Sequence, residues 1–188
     1  GAPGGEHSDP DDPFLLLFTS GTTDSPKAAL HTHNMRIGNV RCVAEEIGFT
    51  GRDRFLSIAR FSHLWGLCAY WMALWNGAAH VLLETFSPEA FVEAASRARV
   101  TVAIGAPAHV SALLALPALR TADLSSLRLF ALSGSVCPPA LARALRTHLG
   151  TTPLVLWGMT ETGMGLYTRP DDPLEVVEQT VGRVSNGY

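Results

Sequence analysis

The sequence predicts an α/β fold, a largely parallel sheet with helices on both faces, preceded by a strand and a polar loop. Two observations carry that prediction. Short β-rich runs alternate regularly with segments of helical periodicity, and strand, helix, strand in succession implies parallel strands joined by right-handed crossovers. The 188 residues are also 47% hydrophobic and 16% charged, with a mean hydropathy of +0.17, so a real core can form and disorder is excluded over most of the length.

The elements follow in order. Residues 14–19 read as an apolar strand, and residues 33–47 as a helix. Further strands are predicted over 54–59, 79–83, 100–104, 127–132 and 153–157. Ser87-Pro88-Glu89 supplies an N-cap, a first-turn proline and an early acid for one helix. Pro138-Pro139 opens another, "ALARALRTHL", whose end is marked by His148 and Gly150, and a third is predicted over about 107–116. The run 65–83 carries no Asp, Glu, Lys or Arg and approaches the ~20 residues of a membrane helix. Asn76-Gly77 is a turn or helix-end signal that divides it into a helix over 66–75 and a short strand, so buried core is predicted rather than stable membrane insertion. Ligands of such sheets sit beyond the carboxyl ends of the strands. That rule gathers "ARFSHLWG", "GAPAH", "LSGSV" and "LWGMTETG" around one crevice.

Composition narrows the partners. The net charge of -3 arises from interspersed acids and bases, with no basic face for nucleic acid and no polybasic cluster for a membrane. A small molecule or another protein is the expected partner. Cys42, Cys68 and Cys137 are an odd number with no CxxC or zinc spacing, which predicts a reducing, cytoplasmic setting. Residues 1–13, rich in Gly, Pro and acids, read as a linker and lack the basic end and apolar stretch of a signal peptide.

The run from Thr19 through Ser20-Gly21-Thr22-Thr23-Asp24-Ser25-Pro26 to Lys27 offers amides, hydroxyls and one ammonium that can surround an anion, polyphosphate first. A polar surface turn is the plainer alternative. It is not a Walker loop, which needs glycine directly before the lysine and a hydroxyl after it; here Pro26 precedes and Ala28 follows. Lys27 is the only lysine in the chain among 14 basic residues, and arginine does not simply replace a mobile point charge on phosphate. His31 and His33 have a spacing metals sometimes use, but no third ligand accompanies them, and a helix-start histidine is the preferred reading. Met159 and Met164 either shape a pliable pocket or fill the core.

Four segments carry a family resemblance. "FTSGTTDSPKAALHTHN" resembles the phosphate-loop signature of the adenylate-forming (AMP-binding) enzymes, roughly an aromatic residue followed by TSGTTGxPKG. "LWGMTETG" resembles their aromatic-Gly-x-Thr-Glu signature, "LRLFALSGSVCPPAL" the segment beside the adenine, and "TVGRVSNGY" the start of a later block. "ARFSHLWGL" is more similar to the acyl-CoA synthetase branch than to amino-acid-activating domains. The resemblance implies a carboxylate attacking the α-phosphate of Mg·ATP, release of pyrophosphate, and transfer of the acyl group to a thiol, commonly coenzyme A.

Carried over residue by residue, Thr19, Ser20, Gly21, Thr22, Thr23 and Lys27 would hold the β- and γ-phosphates. Trp157, where the family usually has tyrosine, would lie near the adenine with Gly158 and Met159; Thr160 would bond the α-phosphate and Glu161 would ligate Mg²⁺. Lys27, Thr160 and Glu161 are thus the implied catalytic set. Ser133, Gly134 and Ser135 would line the adenine and acyl boundary, and His63, Trp65, Gly158, Gly163 and Met164 the acyl pocket, suited to a fatty, alicyclic or aromatic acid. His63, Trp157, Thr160 and Glu161 have a plainer structural reading as packed or turn-bracing residues.

Two departures stand out. Asp24 occupies a glycine position of the signature, where a carboxylate repels triphosphate, and Ala28 replaces a second glycine. The family's ribose-binding aspartate, hinge and carboxyl-terminal lysine have no match, so 14–188 reads as a central fragment of the large amino-terminal domain without the carboxyl-terminal one. Full catalysis by this chain alone is not expected, and exposed apolar surface makes self-association an expectation. A non-catalytic nucleotide- or protein-binding relative and a peptide-synthetase adenylation domain are the alternative readings.

Overall fold

The computed structural model describes residues 9–19 and 26–186. Strand β1 (Pro13–Thr19) pairs antiparallel with β2 (Lys27–Thr32), which runs directly into α1 (His33–Ile47). Thr32 caps that helix by accepting from Met35 N at 3.3 Å. Ahead of β1, Asn34 Nδ2 donates to Asp11 Oδ1 at 2.6 Å, which docks the turn at residues 9–12 on the start of α1.

A second, larger sheet forms the body. Its strands are β3 (Arg54–Ser57), β4 (Ala79–Val81), β5 (Val102–Gly105), β6 (Leu129–Leu132), β7 (Thr152–Met159), β8 (Gly163–Tyr167) and β9 (Arg183–Val184), in spatial order β4-β3-β5-β6-β7-β8-β9. The first five of that order are parallel, and β8 and β9 add antiparallel at one edge. The crossovers are α2 (Leu64–Asn76), α3 (Pro88–Ala98), α4 (Pro107–Ala115) and α5 (Pro139–Leu149), with a short α6 (Leu174–Gln179) between β8 and β9.

Alternation along each strand sorts the core onto two faces. Phe55, Val102, Ile104, Leu129, Ala131, Leu154 and Leu156 pack with Val40, Val43 and Ile47 of α1 and Cys68, Ala69 and Met72 of α2. Leu56, Ala103, Phe130 and Leu132 pack on the other face with Phe91, Val110, Leu113, Leu141 and Leu145. Helices therefore cover both faces, as predicted. The apolar run 65–83 is α2 and β4, with Gly77 as the left-handed helix cap, and among the described residues no helix is long and apolar enough to cross a membrane.

The structure departs from the sequence reading at three places. Residues 27–32 form a strand, because β1 presents unpaired backbone groups that they satisfy. The strand predicted over 153–157 runs on through Gly158 and Met159, because β8 pairs with it, Gly158 opposite Met164 and Met159 opposite Gly163. Strand ends also fall short of the apolar runs, as at Ser57 and Val81, since hydropathy does not mark where pairing stops.

Candidate functional site

The carboxyl ends of the parallel strands open onto a cavity of about 1310 Å³. After β3, Ala59, Arg60, Phe61 and His63 form one wall, and His63 is the extended N-cap position of α2. Gly66 lets this helix start tightly against the strand exit, for a Cβ there would stand 2.6 Å from the Ala59 carbonyl oxygen. Trp65 is fixed by an Nε1–H bond to the Gly105 carbonyl at 3.0 Å, which joins the β3 and β5 exits. Ser133 and Gly134, just past β6, supply a further wall. Trp157, Gly158, Met159 and Thr160, with Gly163 and Met164, close the β7–β8 side.

The turn at 160–162 is held from beneath by α1. Asn39 Nδ2 donates to Met164 O at 2.9 Å while Met164 N donates to Asn39 Oδ1 at 3.1 Å, and Arg36 Nη2 donates to Thr162 O at 3.1 Å. Both side chains are buried. Gly163 has φ +91, and a Cβ on it would lie 2.6 Å from Arg36 Nη1 and from Asn39 Oδ1. The glycine of the Thr-Glu-Thr-Gly run is thereby required twice, by its backbone and by its neighbours.

Electrostatics tie the small sheet to the same turn. His31, on β2, is fully buried and neither ring nitrogen has a hydrogen-bond partner among the described residues. Burial pushes its imidazole below the usual pKa and Arg36 adds to that, while the Glu161 carboxylate pulls the other way. The strand that begins at Lys27 thus adjoins the turn that carries Glu161. Thr19 and Lys27 face each other at the open end of the β1–β2 pair, and Thr19 Oγ1 donates to Lys27 O at 3.4 Å. Lys27 is exposed there, at one base of the glycine- and hydroxyl-rich loop. Ser20, Gly21, Thr22, Thr23 and Asp24 lie outside the described residues.

Of the residues singled out in the sequence, His63, Trp65, Ser133, Gly134, Trp157, Gly158, Met159, Thr160, Gly163 and Met164 line this single cavity. Ser135 and Glu161 are exposed beside it and do not line it. His33 opens α1 and stacks on Phe14 at 4.4 Å, and among the described residues no three His, Cys, Asp or Glu side chains form a metal cage. Glu161 nonetheless suits Mg²⁺, which takes one or two carboxylates and completes its shell with substrate phosphates and water. Sequence reading missed residues 82–86, which follow β4 and line the cavity, and also Arg36 and Asn39. The first look like the approach to a helix; the others carry no signal until a contact 125 residues away is made.

These features define one crevice beyond the carboxyl ends of a doubly covered sheet, and comparison with known proteins gives the class. The chain matches the AMP-binding enzyme family over residues 2–188, and it belongs to that family. It is 36% identical over 177 residues to a methyl-dioxo-octahydro-indenyl-propanoyl:CoA ligase of Mycobacterium tuberculosis, covering 93% of this chain and 35% of that protein. It is 33% identical over 181 residues to the medium-chain fatty-acid–CoA ligase of Escherichia coli, covering 94% of this chain and 31% of the relative. Among solved structures, the amide bond synthetase McbA from Marinactinospora thermotolerans superposes with a TM-score of 0.87 at 32% identity, covering 99% of this chain and 37% of that one. The chain thus spans about a third of the length of the proteins it matches.

Proposed function

We propose that this chain carries the nucleotide and acyl sites of an ATP-dependent, AMP-forming acid–CoA ligase acting on an apolar carboxylic acid, fatty, alicyclic or aromatic. The observation that carries it is the single cavity lined together by the β3, β5, β6 and β7 exits, including residues 157–160. Its size suits a nucleotide with an acyl group. Trp157, with 44% of its surface exposed, offers a face to the adenine, and Ser133 and Gly134 bound the same space. Thr160 would donate to the α-phosphate, Glu161 would hold Mg²⁺, and Lys27 with Thr19 to Thr23 would neutralise the leaving pyrophosphate. The metal, when bound, spreads the charge that develops on the phosphates. Residues 14–188 are read as part of the core domain and 1–13 as a linker. The three free cysteines support a reducing, cytoplasmic setting.

One sequence observation favours a second reading. Asp24 replaces glycine in the phosphate loop, as a non-catalytic relative that keeps the fold for binding would tolerate. Calorimetric titration with Mg·ATP, beside Asp24→Gly, tests both. The ligase reading expects ATP binding that strengthens several-fold in the glycine variant; a repurposed binding module gains nothing. Absence of ATP binding by both proteins rejects the nucleotide site.

A further inference from the structure

The cavity continues away from residues 157–160, past the exit of β5, to a largely apolar end near the exit of β4. Strands lie about 4.8 Å apart, so two strand steps set the β5 exit about 10 Å from the β7 exit. Ile58, Leu83 and Phe86 line this end together with His109, the third residue of α4.

The polar side chains here can be followed one by one. Ser57 Oγ donates to Ala59 O at 3.1 Å and Trp65 Nε1 to Gly105 O at 3.0 Å, so both are spent on backbone carbonyls. Thr85, Glu84 and Arg60 are exposed. His109 differs. Its Nδ1 accepts from Ala106 N–H at 3.1 Å, which requires a lone pair on Nδ1 and puts the proton of the neutral ring on Nε2. The ring is held against Phe86, centroids 4.7 Å apart; Nε2 has no hydrogen bond to the described residues and is not sealed from solvent, and the residue lines the cavity. Burial lowers the His109 pKa, which keeps the ring in this neutral, singly protonated form.

We propose that His109 is a specificity-determining residue: its Nε2–H donates to an oxygen acceptor, a ketone, ether or hydroxyl, on a ring at the far end of the carboxylic acid. The inference rests on the acid-activating reading and narrows it. An acid with its carboxylate beside Thr160 and a ring on a short carbon linker reaches His109, whereas a plain hydrocarbon leaves the donor desolvated and unpaired, which disfavours it.

The test is calorimetric titration with two hydrolysis-resistant acyl-adenylate analogues, cyclohexylpropanoyl and its ring-ketone counterpart. The wild-type protein is expected to bind the ketone roughly tenfold more tightly. His109→Phe, which keeps a ring without the donor, should erase the preference, and His109→Gln, which restores an N–H, should recover part of it. Equal affinities in the wild type, or a preference for the hydrocarbon, overturn the inference while leaving carboxylate activation intact. Binding of neither analogue overturns both. Should His109→Phe fail to fold, the wild-type ratio and the ¹⁵N resonance of His109 Nε2 decide: a shift with the ketone and not with the hydrocarbon supports the bond, and identical spectra overturn it.

Discussion

At Gly163 a single hydrogen atom in place of a methyl decides whether the signature turn can form. The φ of +91 is open to glycine at little cost, and any Cβ would press on both Arg36 and Asn39. Gly163→Ala is expected to lose about 2 kcal/mol of stability and to weaken Mg·ATP binding, measured by denaturant titration and calorimetry. Unchanged ATP affinity would show that the turn is scaffold only. Cys68 is another residue read by its surroundings: burial pushes its thiol up to about 12, so it lines the cavity as an apolar group and not as a nucleophile. Little labelling of Cys68 by iodoacetamide in the native state, read by peptide mass apart from Cys42 and Cys137, is the expected result; rapid labelling of Cys68 at neutral pH would contradict it.

Helix α1 acts as an element in two directions. Its first turns brace the β7–β8 turn through Arg36 and Asn39, and near its end Glu46 pairs with Arg169, which also donates to Tyr167 O at 2.6 Å and Val184 O at 3.2 Å. Asn186 N donates to Glu46 Oε1 at 2.8 Å, and Tyr167 OH donates to Ser185 Oγ at 3.0 Å. One helix therefore fixes both ends of β8. Asn39→Ala would leave the Met164 N–H and C=O unpaired, at about 2–3 kcal/mol. A fall in the urea midpoint at constant slope is expected, whereas an unchanged midpoint would mean the turn holds itself.

Across the whole molecule, the cavity and the polar anchoring sit at opposite ends of the parallel strands. At the amino ends, Asp53 accepts from Thr101 Oγ1 at 2.7 Å, from Arg128 Nε and Nη2 at 3.0 and 2.9 Å, and from Thr50 N at 2.9 Å, which ties β3, β5 and β6 together. Burial pushes the Asp53 carboxyl up, but these hydrogen bonds outweigh it and hold it below its ordinary value. A depressed folded-state pKa contributes stability above the unfolded value of about 3.9, lost as pH falls through the folded value. Asp53→Asn should lower the melting temperature at pH 7 and flatten its fall below about pH 4; parallel curves for the two proteins would refute the linkage. The small sheet exposes Leu16, Phe18 and Leu30, and α2 exposes Leu74 and Trp75. Mass by light scattering is expected to rise with concentration, and a monodisperse monomer would count against self-association.

The parallel body was legible in the sequence because its signals are local: Ser87-Pro88 starts a helix wherever it stands, and runs such as "LFAL" suit only a strand covered on both faces. The same local reading gathered the four strand exits around one crevice, since strand ends and turn residues mark them, whereas Trp157 to Thr160 were singled out by the resemblance of "LWGMTETG" to a family signature. What the sequence could not express was pairing and distance. That residues 27–32 close against β1, that β8 folds back to carry β7 on through Gly158 and Met159, and that Asn39 reaches Met164 all depend on pairing that no local pattern expresses. His109 is the sharpest case. "GAPAH" placed it at the crevice, but only the folded backbone, by giving Ala106 N–H to Nδ1, decided which nitrogen is left to meet a ligand.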